Sequence, residues 1–152
     1  MIDASQIKEL RDRTGISVVQ CKKALEESDG DMDKAIAFLK AQGTAIADKK
    51  SSRNLGAGTI GAYIHAGGAL GTMVEIQCET DFVAKNEEFK DLALSLAMQI
   101  AAMPPSDVEE LMSQDYIKDP SQTIDDLIKS YVQKFGERIE VIRFSRLAVG
   151  LE

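Results

Sequence analysis

Apolar and polar residues change their spacing near Thr80, in the middle of the chain. From Leu70 to Cys78 the less polar residues recur at every second position, which predicts a β-strand with one better-buried face. From Phe89 to Ile100 apolar residues recur at helical spacing, which predicts an amphipathic helix. Thr80 is a suitable N-cap, and Asp81 suits the positive end of a helix dipole. The pattern therefore predicts a strand that passes directly into a helix.

The position of Phe82 does not follow from this pattern. Phe82 lies seven residues before Phe89, on the line of the apolar stripe, but Lys85 and Asn86 interrupt that stripe. Spacing alone favours a ring that covers the protein's own core. The alternative is a ring that projects from the helix start and is presented to a partner.

Residues 1–43 have the pattern of three short amphipathic helices. The predicted N-caps and stops are Asp3 and Gly15, Ser17 and Gly30, and Asp31 and Gly43. Three helices of this length make only a small core, which is typical of a docking module rather than of a catalytic domain.

Two adjacent valines, Val18 and Val19, stand near the start of the second predicted helix, where the apolar stripe needs only one of them inside. Val19 and the nearby Lys22 therefore indicate a small apolar and basic contact surface. A solvated helix face with one stray valine fits the same pattern.

Residues 44–57 are polar and weakly patterned, and we interpret them as a connection between domains. A strand from Thr59 to His65 follows, and Gly67-Gly68 predicts a hairpin turn into the strand that ends at Cys78. Residues 58–152 are thus predicted to form an α+β core domain.

After the long helix, the sequence predicts two breaks and one more helix. Met103-Pro104-Pro105 is the first break, and Ser106 is the predicted cap of a short helical turn behind it. Asp119-Pro120 is the second break, and a well-patterned helix then runs from Ile124 to Phe135.

In the last predicted strand, Arg138 to Val149, the apolar face shifts twice. Ile139 and Val141 point one way, Ile142 and Phe144 the other, and Leu147 and Val149 the first way again. Such a shift predicts a bulge, or a sheet that is covered on both sides. Helices can cover one face of the sheet. In a chain this short, a second copy of the chain is the simplest cover for the other.

The charge distribution argues for protein partners. The 152 residues carry a net charge of −7, and residues 54–152 hold eight basic against sixteen acidic side chains. An acidic main body disfavours direct nucleic-acid binding, which needs a basic face. No apolar run reaches the roughly 18 residues needed to span a bilayer, and no secretion signal is visible at the N-terminus, so we expect a cytoplasmic protein without a membrane partner.

The sequence offers little for catalysis, metal or cofactor binding. Cys21 and Cys78 are interpreted as buried thiols, and one histidine, His65, without a CxxC pair argues against structural zinc. A nucleophile pair of Cys78 and His65 is the only enzymatic alternative. Residues 56–61 match GxGxxG, but they precede a predicted strand and no helix follows, so a dinucleotide site is rejected. No cofactor is expected.

Four segments together resemble a known family. They are Leu10-Arg11-Asp12-Arg13-Thr14-Gly15, Cys21-Lys22-Lys23-Ala24-Leu25, Gly30-Asp31 and Cys78-Glu79-Thr80-Asp81-Phe82-Val83-Ala84-Lys85. In this order they resemble the signature segments of the bacterial translation elongation factor Ts family, and the resemblance covers nearly the whole chain.

The resemblance implies a ubiquitin-associated-like three-helix domain followed by an α+β core with a three-stranded antiparallel sheet. It implies guanine-nucleotide exchange on elongation factor Tu, without covalent chemistry. In that family the segment matching Thr80, Asp81, Phe82 and Val83 intrudes near the nucleotide site and dislodges the bound Mg²⁺. The N-terminal domain docks on the partner's nucleotide-binding domain through positions that match Val19 and Lys22. This implication reverses the expectation for Phe82 from spacing alone.

The chain departs from longer family members, which carry two related core halves and a helical insertion. Only one half is visible here, and short members of the family pair two copies, so a homodimer is expected. A protein-binding adaptor without exchange activity is the alternative function.

Overall fold

The structure, a computed structural model, describes residues 1–150. The chain divides into two compact units. One consists of Met1–Ser52 and Ile128–Glu137, and the other of Arg53–Leu127 and residues 138–150. The predicted α+β class is confirmed, because N-terminal helices are followed by a three-stranded antiparallel sheet packed with helices.

The first unit opens with three helices, α1 (Ala4–Thr14), α2 (Val18–Glu27) and α3 (Met32–Lys50). The three predicted N-caps are confirmed, since Asp3, Ser17 and Asp31 each accept a hydrogen bond from a first-turn backbone amide. A small core lies between the helices. It consists of Leu10, Ile16, Cys21, Ala24, Leu25, Ala35 and Leu39. The ubiquitin-associated-like label for these helices stays a prediction.

The remaining elements are strands and helices in mixed order. In chain order they are β1 (Ala57–Ile64), β2 (Leu70–Cys78), α4 (Asp81–Ala84), α5 (Glu87–Ala102), α6 (Val108–Ser113), β3 (Asp115–Tyr116), β4 (Asp119–Thr123), α7 (Ile124–Phe135) and β5 (Glu140–Ala148). Helix α7 begins in the second unit, and its residues from Ile128 belong to the first.

Helix α3 does not end at Gly43, and the predicted stop there is wrong. The helix continues to Lys50, so half of the expected connection is helical. Gly43 is buried inside the helix, where a Cβ would lie 3.0 Å from Gln133 Oε1 and 3.6 Å from the Lys129 carbonyl oxygen of α7. Gly43 therefore allows two helices to approach closely instead of ending one of them.

The sheet has the order β1-β2-β5, with both neighbouring pairs antiparallel. The predicted hairpin between β1 and β2 is confirmed. Gly67 and Gly68 have φ angles of 83° and 77° at its turn, a backbone conformation that glycine adopts at little cost.

Helix α5 covers one face of the sheet at close range. A Cβ at Gly61 of β1 would lie 2.4 Å from the backbone of Ala93, so the strand and the helix meet there without an intervening side chain. The Thr72 hydroxyl of β2 donates to the Ala97 carbonyl at 2.7 Å. The buried apolar residues of this layer include Val74, Ile76, Cys78, Phe89, Leu92, Leu96 and Ile100.

Two local predictions after α5 are wrong. The N-cap of α6 is Asp107, whose side chain accepts from the Glu110 amide, whereas Ser106 donates its hydroxyl hydrogen bond to the Glu110 carboxylate. The expected break at Asp119-Pro120 is part of strand β4, which pairs with β3.

The irregularity predicted for the last strand is confirmed. The register between β2 and β5 shifts between Glu75 and Ile76. The predicted return of Leu147 to the face of Val141 is wrong, because Val141 is buried while Leu147 is exposed on the opposite face. The face of the sheet opposite α5 carries exposed apolar side chains from each strand. We call this surface the outer face, and its exposed large apolar residues include Ile60, Ile64, Met73 and Leu147.

Candidate functional site

The segment from Thr80 to Val83 forms a tight helical turn between β2 and α5. Thr80 caps it as predicted, with its hydroxyl oxygen accepting from the Val83 amide at 3.4 Å. The turn does not continue into the long helix. Asn86 starts α5 separately, because its side-chain oxygen accepts from the Glu88 amide at 2.8 Å.

The turn is fixed by two small apolar residues and presents a large one. Val83 is 4 % exposed and Ala84 is buried, while Phe82 is 85 % exposed. The expectation from spacing alone, a ring that covers the protein's own core, is therefore wrong. Asp81 is exposed beside the ring. The turn thus places an aromatic ring and a carboxylate together on the surface.

Glu79, the residue before the turn, bonds the start of the turn to two other segments of the chain. One carboxylate oxygen lies 3.3 Å from the Arg53 guanidinium, and the other accepts from the Arg138 amide at 2.6 Å. The Cys78 thiol donates to the Thr80 carbonyl at 3.3 Å. Sequence reasoning missed this role of Glu79. Its only signal is an acidic residue at a strand end, with arginines shortly before two other strands of the sheet.

The predicted docking residues lie in the first unit, on helix α2. Val19 is 79 % exposed and Val18 is also exposed, while the same helix buries Cys21. Lys22 lies three residues after Val19, so the two share a helix face, and its ammonium is 4.0 Å from the Glu26 carboxylate. The structure brings Val19 and Lys22 together as one exposed apolar and basic patch.

The alternative nucleophile pair is not assembled. Cys78 pairs with Ala57 at one end of the β1-β2 hairpin, whereas the amide of His65 donates to the Leu70 carbonyl at the other end. Eight residues of extended strand separate these ends by roughly 26 Å. Burial raises the pKa of the other thiol, Cys21.

Three further expectations concern bound groups and membranes. The GxGxxG match lies at the entry to β1 and within it, not between a strand and a helix, so it lacks the geometry for a dinucleotide. Within residues 1–150, no three His, Cys, Asp or Glu side chains cluster in a way that suits a metal ion. None of the helices in that range has the length and apolar character to cross a membrane.

Comparisons with known proteins identify relatives of this chain. The family model described as Elongation factor TS matches residues 79–151, which include the turn. Elongation factor Ts of Synechococcus sp. (strain JA-3-3Ab) is 40% identical over 195 residues, covering 98% of this chain and 69% of that protein. The chloroplastic elongation factor Ts of Phaeodactylum tricornutum is also 40% identical, covering 98% of this chain and 96% of that protein.

A third relative, elongation factor Ts of Desulforamulus reducens, is 39% identical over 194 residues, covering 98% of this chain and 89% of that protein. These alignments are longer than the 152 residues of this chain, so the relatives carry residues that have no counterpart here. With this identity over nearly its whole length, the chain belongs to the elongation factor Ts family.

Proposed function

We propose that this chain acts in translation as a guanine-nucleotide exchange factor that releases GDP from elongation factor Tu. The observation that carries the proposal is Phe82, a large apolar ring that is 85 % exposed on a turn whose neighbours Val83 and Ala84 are buried. An apolar ring that the buried neighbours keep exposed to water is suited to insertion into another protein.

The mechanism requires only displacement of groups in the partner. Mg²⁺ needs a near-ideal octahedral shell of oxygens, so small movements of the partner groups around a nucleotide-bound Mg²⁺ would weaken the binding of the metal and of the nucleotide together. Phe82 wedges between packed elements of the partner, and Asp81 disturbs the field and hydrogen bonds near the metal. No covalent step, catalytic side chain or cofactor of this chain takes part.

The energetics require more than one contact. A thousandfold weakening of GDP binding corresponds to about 4 kcal/mol of coupling. Burial of one Phe side chain supplies about 1.5 to 3 kcal/mol by area. Further contacts must therefore differ between the GDP-bound and the nucleotide-free partner. Val19 and Lys22, both exposed on α2, provide docking contacts that raise the affinity for the partner.

Fluorescent GDP release from elongation factor Tu tests the proposal. We expect the wild-type chain to accelerate release, and we expect Phe82→Ala and Asp81→Ala each to reduce that acceleration by about tenfold or more. Val19→Ala is expected to raise the concentration needed for half-maximal acceleration. A chain that binds elongation factor Tu without accelerating release would be an adaptor, which contradicts the proposal.

We also propose that the chain forms a homodimer through the outer face. Exposed Ile60, Ile64, Met73 and Leu147 give that face an apolar character, and its Glu75 carboxylate is already paired with Arg143 at 2.7 Å. A second copy with the same face buries both apolar surfaces and leaves no unbalanced charge between them. The proposed place of action is the cytoplasm, without a direct nucleic-acid or membrane contact.

A further inference from the structure

Glu79 has no partner-facing role in the mechanism above, yet both of its carboxylate oxygens are bonded within the second unit. Its side chain is 16 % exposed, and both carboxylate oxygens are engaged, one by the Arg53 guanidinium at 3.3 Å and one by the Arg138 amide at 2.6 Å. Hydrogen bonds to an ionised acceptor are short and strong compared with neutral ones. Glu79 therefore binds two segments that are distant in sequence.

The two arginines that bond Glu79 at the end of β2 are also bonded to each other. Arg53 precedes β1 and Arg138 precedes β5, and the Arg138 guanidinium donates to the Arg53 carbonyl at 2.6 Å. The backbone packs equally closely, since a Cβ at Gly56 would lie 3.1 Å from the Glu79 carbonyl oxygen. The end of β2, where the chain leaves the sheet, is thus bonded to the segments that precede β1 and β5.

The turn needs such support because it is too short to fix its own direction. Helix α4 has four residues, and an isolated turn of that length is not stable by its backbone hydrogen bonds. Burial of Val83 and Ala84 anchors its C-terminal end. Glu79 anchors the other end, one residue before the Thr80 cap and three before Phe82.

We propose that Glu79 is a positioning residue for nucleotide exchange, whose carboxylate sets the direction in which Phe82 projects from the protein. This inference rests on the proposed exchange function. It predicts that loss of the carboxylate lowers the rate at which the bound complex releases GDP, while binding to elongation factor Tu stays nearly unchanged.

The test is Glu79→Gln in the GDP-release assay, alone and combined with Phe82→Ala. An amide keeps the side-chain size but cannot satisfy both Arg53 and the Arg138 amide as a carboxylate does. We expect the maximal rate to fall about tenfold, since displacements of about 1 Å at a reacting site cost up to a hundredfold. The half-saturating concentration is expected to stay within about twofold of the wild-type value.

The double variant separates positioning from general damage. If Glu79 acts through Phe82, Glu79→Gln causes no further loss once Phe82 is Ala. If the rate losses of the two single variants multiply fully in the double variant, the proposal is overturned. A wild-type maximal rate for Glu79→Gln overturns it as well. Arg53→Gln removes one of the two contacts and is expected to give a smaller loss of the same kind, which keeps the test open if Glu79→Gln unfolds.

Glu109→Gln is the matched control for charge. It removes the same charge from an exposed position on α6, and we expect wild-type exchange from it. Hydrogen exchange at the Val83 amide provides a readout without elongation factor Tu. Glu79→Gln should speed exchange there, and an unchanged rate overturns the positioning role. A wild-type chain that fails to accelerate GDP release instead overturns the proposed function itself.

Discussion

Phe82 and Phe89 lie seven residues apart and differ in almost everything that surrounds them. Phe82 is exposed on the turn, whereas Phe89 is fully buried under the sheet. Phe89→Ala is therefore expected to lower the free energy of unfolding by about 3 to 5 kcal/mol. Phe82→Ala is expected to change it by at most about 0.5 kcal/mol, while reducing exchange. Denaturant titrations of both variants measure this contrast, and equal losses would show that the Phe82 ring also supports the core.

Glu75 on the outer face gives a second prediction for single residues. The Arg143 guanidinium, first, and the Gln77 amide, second, hold the pKa of the Glu75 carboxyl below its ordinary value of 4.5. Because the folded pKa is lowered, the stabilisation by this pair is present above about pH 4.5 and is lost as the pH falls through the folded pKa. We expect Arg143→Gln to raise the pKa of Glu75 toward 4.5, as measured by NMR titration of the side-chain carboxyl. Gln77→Ala is the internal comparison and should raise it less, so the reverse order would contradict the assignment.

At the scale of single residues, sequence spacing predicted the N-caps but not the exposure of the Phe82 ring. Asp3, Ser17, Asp31 and Thr80 were predictable because a cap depends on residues within the next turn. The exposure of Phe82 depends on burial of Val83 and Ala84 against the sheet, which spacing along one helix does not contain. Only the family resemblance implied that the Phe82 ring is exposed.

At the scale of elements, the Gln99 side chain of α5 bonds the β3-β4 hairpin to that helix. Its side chain is fully buried on α5, accepts from the Ile117 amide at 3.0 Å and donates to the Asp115 carbonyl at 3.0 Å. Gln99→Leu should cost about 1 to 3 kcal/mol, because both backbone groups lose their buried partner. Hydrogen exchange at the Ile117 amide is expected to speed up more than exchange at the core amides of β2. Uniform changes across the unit would indicate that Gln99 supports the core instead.

The same buried contact explains why the hairpin was not predicted. Asp119-Pro120 is typical of a break in the sequence, and the pairing of β3 with β4 rests on Gln99, which lies about twenty residues earlier. Helix α3 gives a similar case, since Gly43 indicates a stop locally but is needed for the approach of α7. Strand β2 was predictable because its alternation reports the covered face directly, whereas β1 exposes its apolar Ile60 and Ile64 and the register of β5 shifts.

At the scale of the whole molecule, the outer face determines the expected oligomeric state. Leu147→Glu places a charge among exposed apolar side chains of β5 and β1, and we expect it to convert a dimer into a monomer. Light scattering of the free chain over a range of concentrations measures this change. Leu94→Glu is the matched control, because Leu94 is an exposed leucine on α5, away from the outer face, and it should leave the dimer intact. A wild-type chain that is monomeric at all concentrations would contradict the proposed dimer.

The turn that carries Phe82 is already formed in the free protein. Its cap, its buried neighbours and the Glu79 contacts exist before any encounter, so little conformational entropy remains to be lost on association. Collision with the partner need not wait for a segment to fold. The speed of complex formation with the proposed partner should therefore be limited by diffusion and orientation.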